Sequence, residues 1–61
     1  MRAIRFNDMI IVLDNLLLAE KNKQAVYLAY LGRDSYITVD CETEENAEAL
    51  MRQIKLAMLT D

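Results

Sequence analysis

The chain has 61 residues and a net charge of −3, and 54% of its residues are hydrophobic. Its single cysteine excludes an intrachain disulfide, and the absence of histidine excludes the usual zinc sites. A chain of this length buries only about 60% of the surface that its unfolded form exposes. We therefore expect one domain over residues 1–61, with apolar surface beyond one core that a homo-oligomer or a protein partner would cover.

Composition also bears on compartment and partners. No apolar run approaches the about 20 residues that span a bilayer, so we expect no membrane partner. The first residues, Met1-Arg2-Ala3, lack the apolar stretch of a signal peptide, and a lone thiol is typical of the cytoplasm. Non-specific nucleic-acid binding relies on Lys and Arg to neutralise phosphates, so the negative net charge argues against a nucleic-acid partner.

The first residues predict a β-hairpin. Residues 2–6 alternate in character, and residues 9–13 (MIIVL) are rich in the β-branched residues that favour strands. Between them, Asn7 and Asp8 tolerate the positive φ angles of a tight turn. The expected register places four apolar side chains on one face. The pairs are Phe6 with Met9 and Ile4 with Ile11.

The next segment, residues 16–20, fits two interpretations. Its leucines, alanine and glutamate favour a helix that Asp14 would cap. Such a helix would have only two turns before Asn22, and a sheet needs another strand to be stable alone. We therefore prefer a third strand, with residues 14–15 as a turn or bulge and residues 21–24 as a polar connection.

Residues 25–41 predict a second hairpin around the turn formed by residues 32–35. Its first strand, AVYLAYL, is apolar on both faces, whereas residues 36–42 alternate with an inward-facing apolar set. The expected register places the inner side chains of both strands on one face. The inner pairs are Tyr30 with Ile37, Leu28 with Val39, and Val26 with Cys41, and Leu31 pairs with Tyr36 next to the turn.

The end of the chain predicts a helix over about 44–59. Thr43 is a good N-cap, and Glu44 and Glu45 place negative charge in the first turn, where the helix dipole favours it. The apolar residues then recur at steps of three and four, as expected of a helix that packs on a sheet. They are Ala47, Leu50, Met51, Ile54, Ala57 and Met58.

These elements together predict an α+β fold, in which the C-terminal helix packs on one face of a curved antiparallel sheet of about four strands. Through residues 10–16, residues 25–41 and residues 43–47, the chain resembles small uncharacterised bacterial and phage proteins built from strands and a closing helix. The last hairpin and the helix are also similar to the C-terminal part of bacterial pleckstrin-homology-like domains. The resemblance implies a fold and no catalytic residue.

The reactive residue types in the chain favour a protein that is not an enzyme and needs no cofactor. Cys41 alternates with inward-facing residues and has no histidine to activate it, so we expect it to pack in the core. Five acidic residues lie close in sequence and could hold a hard cation. We favour solvated charges and helix-dipole complementation instead, and predict no metal site. These residues are Asp40, Glu42, Glu44, Glu45 and Glu48.

The outer sheet face is the candidate interface, because its apolar residues have no predicted cover. Its members are Tyr27, Ala29, Leu31, Tyr36 and Thr38, and a wider set adds Ala3, Ile10, Val12, Leu17 and Ala19. We expect a protein-interaction module, an adaptor or inhibitor, that dimerises through this face or a strand edge. The alternative is a nucleic-acid-associated regulator whose sheet tyrosines stack on bases.

Overall fold

The computed structural model of the protein describes residues 1–59 and has five strands and one helix. The strands are β1 (Ala3–Phe6), β2 (Met9–Val12), β3 (Leu16–Asn22), β4 (Ala25–Tyr30) and β5 (Ile37–Asp40), and the helix is α1 (Glu44–Leu59). The α+β class, the antiparallel pairing and the helix bounds are confirmed. The strands form two sheets, β1-β2 and β3-β4-β5, where the sequence predicts one sheet of about four strands.

The first hairpin has the predicted register, with Phe6 opposite Met9 and Ile4 opposite Ile11. Asn7 occupies the turn with a φ of 54°, a conformation that asparagine tolerates. The strand pair ends where the chain turns at Asn15, whose φ is 66°. The consecutive strands β2 and β3 belong to different sheets, and the turn between them is closed by a hydrogen bond from the amide of Leu16 to the carbonyl of Leu13 at 3.1 Å.

The strand interpretation of residues 16–20 is confirmed, and β3 continues to Asn22. The predicted four-residue connection is therefore reduced to Lys23 and Gln24, and Lys23 has a φ of 57°. The register with β4 shifts between Leu16 and Leu18, which is the signature of a β-bulge.

The predicted register of the second hairpin is wrong by two residues. Val26 pairs with Val39 and Leu28 pairs with Ile37. The connection runs from residue 31 to residue 36, because the amide of Arg33 donates to the carbonyl of Tyr30 at 3.2 Å and Gly32 takes a φ of 86°. A shift of two residues keeps every side chain on its face, so the predicted inner face survives.

The helix starts as predicted and covers the inner faces of the strands. The Thr43 hydroxyl accepts a hydrogen bond from the amide of Asn46 at 3.0 Å, as an N-cap does. The helix contacts β1, β3 and β4. Ten buried residues from both sheets and the helix form one core. They are Phe6, Ile11, Leu13, Val26, Leu28, Val39, Cys41, Ala47, Leu50 and Ile54.

Candidate interaction surface

The structure brings together only part of the predicted interface. The rings of Tyr27 and Tyr36 meet edge to face, with centroids 6.2 Å apart and an interplanar angle of 72°. Thr38 lies opposite Tyr27 in the β4-β5 ladder, and the half-buried Ala29 is two residues along the same strand. Leu31 is separate from this cluster, because it lies in the β4-β5 connection and lines a groove beside β2.

The outer face of the three-stranded sheet carries acidic side chains beside the tyrosine. Glu20 pairs with Tyr27, and Asp40 pairs with Ala25, which places both carboxylates on the face that carries the tyrosine. The side-chain amide of Gln24 donates to the Asp40 carboxylate at 3.3 Å. This surface therefore combines aromatic and acidic side chains.

The wider predicted set does not form one face. Ala19 pairs with Leu28 and packs against the core, so its outward placement is wrong; the β-bulge before it changes the alternation. Ala3, Ile10 and Val12 belong to the separate β1-β2 sheet. These positions could not be assigned from alternation alone, because alternation gives the faces of a strand but not the sheet to which it belongs.

Most of the exposed large apolar side chains line two grooves that sequence reasoning missed. The first, here called the β3–α1 groove, has a volume of about 640 Å³ and lies between β3 and one side of the helix, from Glu48 to Leu59. The second, here called the β2 groove, has a volume of about 560 Å³ and lies between β2 and the β4-β5 hairpin. The sequence held one sign of the β3–α1 groove. Leu16, Leu17 and Leu18 are consecutive, and a strand cannot direct all three side chains inward.

Tyr30 joins the two sheets beside the β2 groove. Its hydroxyl donates a hydrogen bond to the backbone carbonyl of Val12, which bridges the three-stranded sheet to the first hairpin. Burial raises the pKa of the Tyr30 hydroxyl, so it stays protonated and remains a donor near neutral pH.

Cys41 faces the core as predicted and is 0% exposed. Burial, followed by the negative charge of Asp40, raises the pKa of its thiol. Its sulfur lies 3.8 Å from the carbonyl oxygen of Val39, to which the thiol donates. A nucleophilic cysteine needs a thiolate, and this environment favours the protonated thiol.

The acidic residues near the helix start have structural contacts. Glu44 forms an ion pair with Lys21 at 2.9 Å, and this contact lowers the pKa of the Glu44 carboxyl. The Asp40 carboxylate accepts a hydrogen bond from the amide of Glu42 at 2.9 Å. Within residues 1–59, no group of three or more metal-ligating side chains is close enough to hold an ion.

The chain matches no protein-family model, no curated protein and no solved structure. The resemblance to small bacterial and phage proteins therefore stays a prediction. Over the part of the chain that the structure describes, no helix has both the length and the apolar character needed to cross a membrane. The class defined by the structure is a small α+β protein with two apolar grooves.

Proposed function

We propose that this chain is a small, non-catalytic protein-interaction module, an adaptor or inhibitor, that works as a homo-oligomer in the cytoplasm. The observation that carries the proposal is the set of large apolar side chains that stay at least 38% exposed. They are Met1, Met9, Ile10, Val12, Leu17, Leu18, Leu31, Tyr36, Leu56, Met58 and Leu59. The lone, buried thiol supports a reducing compartment.

The distribution of these side chains supports binding more than chance exposure. Single exposed apolar residues are normal on a protein surface, but contiguous patches mark interaction sites. Leu17 and Leu18 border the β3–α1 groove, and Ile10 and Leu31 border the β2 groove. Fully burying a leucine or isoleucine side chain contributes about 1.5–3 kcal/mol, so covering either patch would offset part of the cost of association.

Two separate grooves also suit an adaptor or inhibitor. One groove can be covered by a second copy of the chain while the other remains open to a different protein. The nucleic-acid alternative has less support, because the Tyr27 ring packs against the Tyr36 ring. The face of the sheet that carries Tyr27 also carries Glu20 and Asp40. Carboxylates at these positions would repel a phosphate backbone.

Light scattering on the purified chain, from low micromolar to millimolar concentration, tests the proposal. We expect a mass at least twice the 7.1 kDa of one chain. Leu17→Lys and Ile10→Lys each introduce a charge into one apolar patch, and Asn22→Lys introduces the same charge at an exposed position outside both grooves. At least one of Leu17→Lys and Ile10→Lys should lower the measured mass, whereas the control Asn22→Lys should leave it unchanged. A 7.1 kDa monomer throughout would refute self-association.

A further inference from the structure

We propose that two copies of the chain associate through the β3–α1 groove, with their helices antiparallel about a two-fold axis. This inference rests on the proposed self-association and specifies its surface and geometry. The groove combines an apolar floor with a row of charged residues along the helix wall. The order of those charges selects a second copy as the occupant.

Most of the residues that line the groove are apolar. Its floor includes the partly buried Leu16, Ala19 and Met51, together with the buried Ile54. Its exposed apolar members are Leu17 (66%), Leu18 (46%), Met58 (40%) and Leu59 (71%). A standard interface covers about 800 Å² on each partner, which is about a sixth of the 4556 Å² surface of the chain. A contact of this size would extend beyond the groove onto the neighbouring surface of β3 and the helix.

Side chains, rather than strand addition, must carry the contact. β3 is an edge strand, and an unprotected edge could pair with another strand. However, the register shift between Leu16 and Leu18 interrupts the edge, and Lys21 provides a charge of the kind that discourages pairing. The bulge leaves Leu17 exposed beside the groove, where it can insert into an apolar surface.

The charged side chains on the helix side of the groove are complementary to the same side chains of a second copy that lies antiparallel to the first. Along the groove, the helix presents an acid at Glu48, followed by bases at Arg52 and Lys55. The remaining helix acids, Glu44 and Glu45, lie in the first turn, so negative charge occupies the N-terminal half and positive charge the C-terminal half. An antiparallel second copy therefore places the acidic half of each helix beside the basic half of the other.

This complementarity also determines the symmetry. A two-fold dimer uses the same patch on both copies, so each contact occurs twice. In the antiparallel arrangement, Glu48 of each copy faces Arg52 or Lys55 of the other, which gives two attractive contacts. A parallel arrangement would place Glu48 beside Glu48 and Arg52 beside Arg52, which is repulsive. The charges therefore favour only the antiparallel dimer.

The test mixes two variants with opposite charge reversals. Glu48→Lys makes the groove wall entirely basic, and the double variant Arg52→Glu/Lys55→Glu makes it entirely acidic. We expect each variant alone to dimerise about 10- to 100-fold more weakly than the wild type, because like charges now meet twice. An equimolar mixture should form a 1:1 heterodimer, because each basic wall meets an acidic one. Mixing changes no contact within a chain, so restored association reports contacts between chains.

Arg5→Glu/Arg33→Glu is the matched control, because it gives the same change in net charge as the acidic variant, outside the β3–α1 groove. We expect it to dimerise like the wild type. Sedimentation equilibrium gives the dissociation constants, and circular dichroism verifies the helix. If either groove variant loses the circular dichroism signal of its helix, Leu17→Glu on β3 is measured in place of that variant, and it should dissociate the dimer.

The inference would be overturned if folded groove variants dimerised like the wild type, if their mixture stayed monomeric, or if only the control dissociated. If the wild type still associates in those cases, the proposed function stands with a different surface or a different arrangement of the two copies. A monomeric wild type is a separate result, because it refutes self-association itself.

Discussion

The burial of the helix face can be tested with two chemically identical substitutions on the same helix. Leu50 is 0% exposed, whereas Leu56, six residues later, is 59% exposed. Leucine and alanine both favour helices, so Leu50→Ala and Leu56→Ala change helix propensity by similar small amounts. The difference between the two variants then reports the packing of Leu50 in the core.

We expect Leu50→Ala to lower the free energy of unfolding by about 2–5 kcal/mol, because it removes buried methyl groups and leaves a cavity. Leu56→Ala should change it by less than about 0.5 kcal/mol, as surface substitutions do. A domain of this size has about 3–9 kcal/mol of stability, so the core variant should lose a large share of it.

Urea denaturation at one fixed protein concentration measures both effects. With an m-value of about 1 kcal/mol per molar, typical of a small domain, a loss of 3 kcal/mol lowers the midpoint by about 3 M. The fixed concentration matters, because self-association stabilises the folded state by mass action. Equal midpoints for the two variants, or a loss below about 1 kcal/mol for Leu50→Ala, would refute the assigned core face.

Three further substitutions test local contacts. Thr43→Ala should destabilise the protein by about 1 kcal/mol in thermal or urea unfolding, because the helix loses its N-cap. Thr43→Ser should keep most of the stability that the N-cap contributes. Tyr30→Phe should cost about 0.5–1.5 kcal/mol because the Val12 carbonyl loses its donor, and an unchanged stability would contradict the bridge between the sheets. The ion pair with Lys21 lowers the pKa of the Glu44 carboxyl. The stability that this ion pair gives the folded protein is therefore present above the ordinary glutamate pKa of about 4.3, and it is lost as pH falls through the lowered pKa of Glu44. Glu44→Gln should therefore be less stable than the wild type at pH 7, and the two melting curves should converge in acid; a constant difference would argue against the contact.

Local patterns predicted the elements well, because each depends on neighbouring residues. The alternation in the first hairpin and a two-residue turn were enough to pair Phe6 with Met9. In the second hairpin, the same reasoning identified the inner face but misplaced the pairs by two residues. Side-chain alternation has a period of two, so it cannot distinguish registers that differ by two, and the conformation of the turn around Gly32 decides between them.

The candidate surface was less predictable, because it depends on packing between elements. The sequence placed Tyr27 and Tyr36 on the same outer face, and the structure brings their rings together. It gave no indication that Glu20 would share their face, since this depends on the pairing of β3 with β4. The β3–α1 groove depends on where the helix lies across the sheet, which no periodicity specifies.

The dimensions of the elements explain why apolar surface remains on both sides of the helix. A helix with its side chains is about 10–12 Å wide, and neighbouring strands are about 4.8 Å apart, so one helix covers about two strands. Here a single helix faces a three-stranded sheet and a two-stranded one, and it contacts mainly β1, β3 and β4. The β2 groove lies beyond its reach, and the β3–α1 groove follows its flank. Outside the helix, nearly all of the residues that the structure describes form strands and turns. The order of the charges along the helix supports our proposal that a second copy of the chain covers the β3–α1 groove.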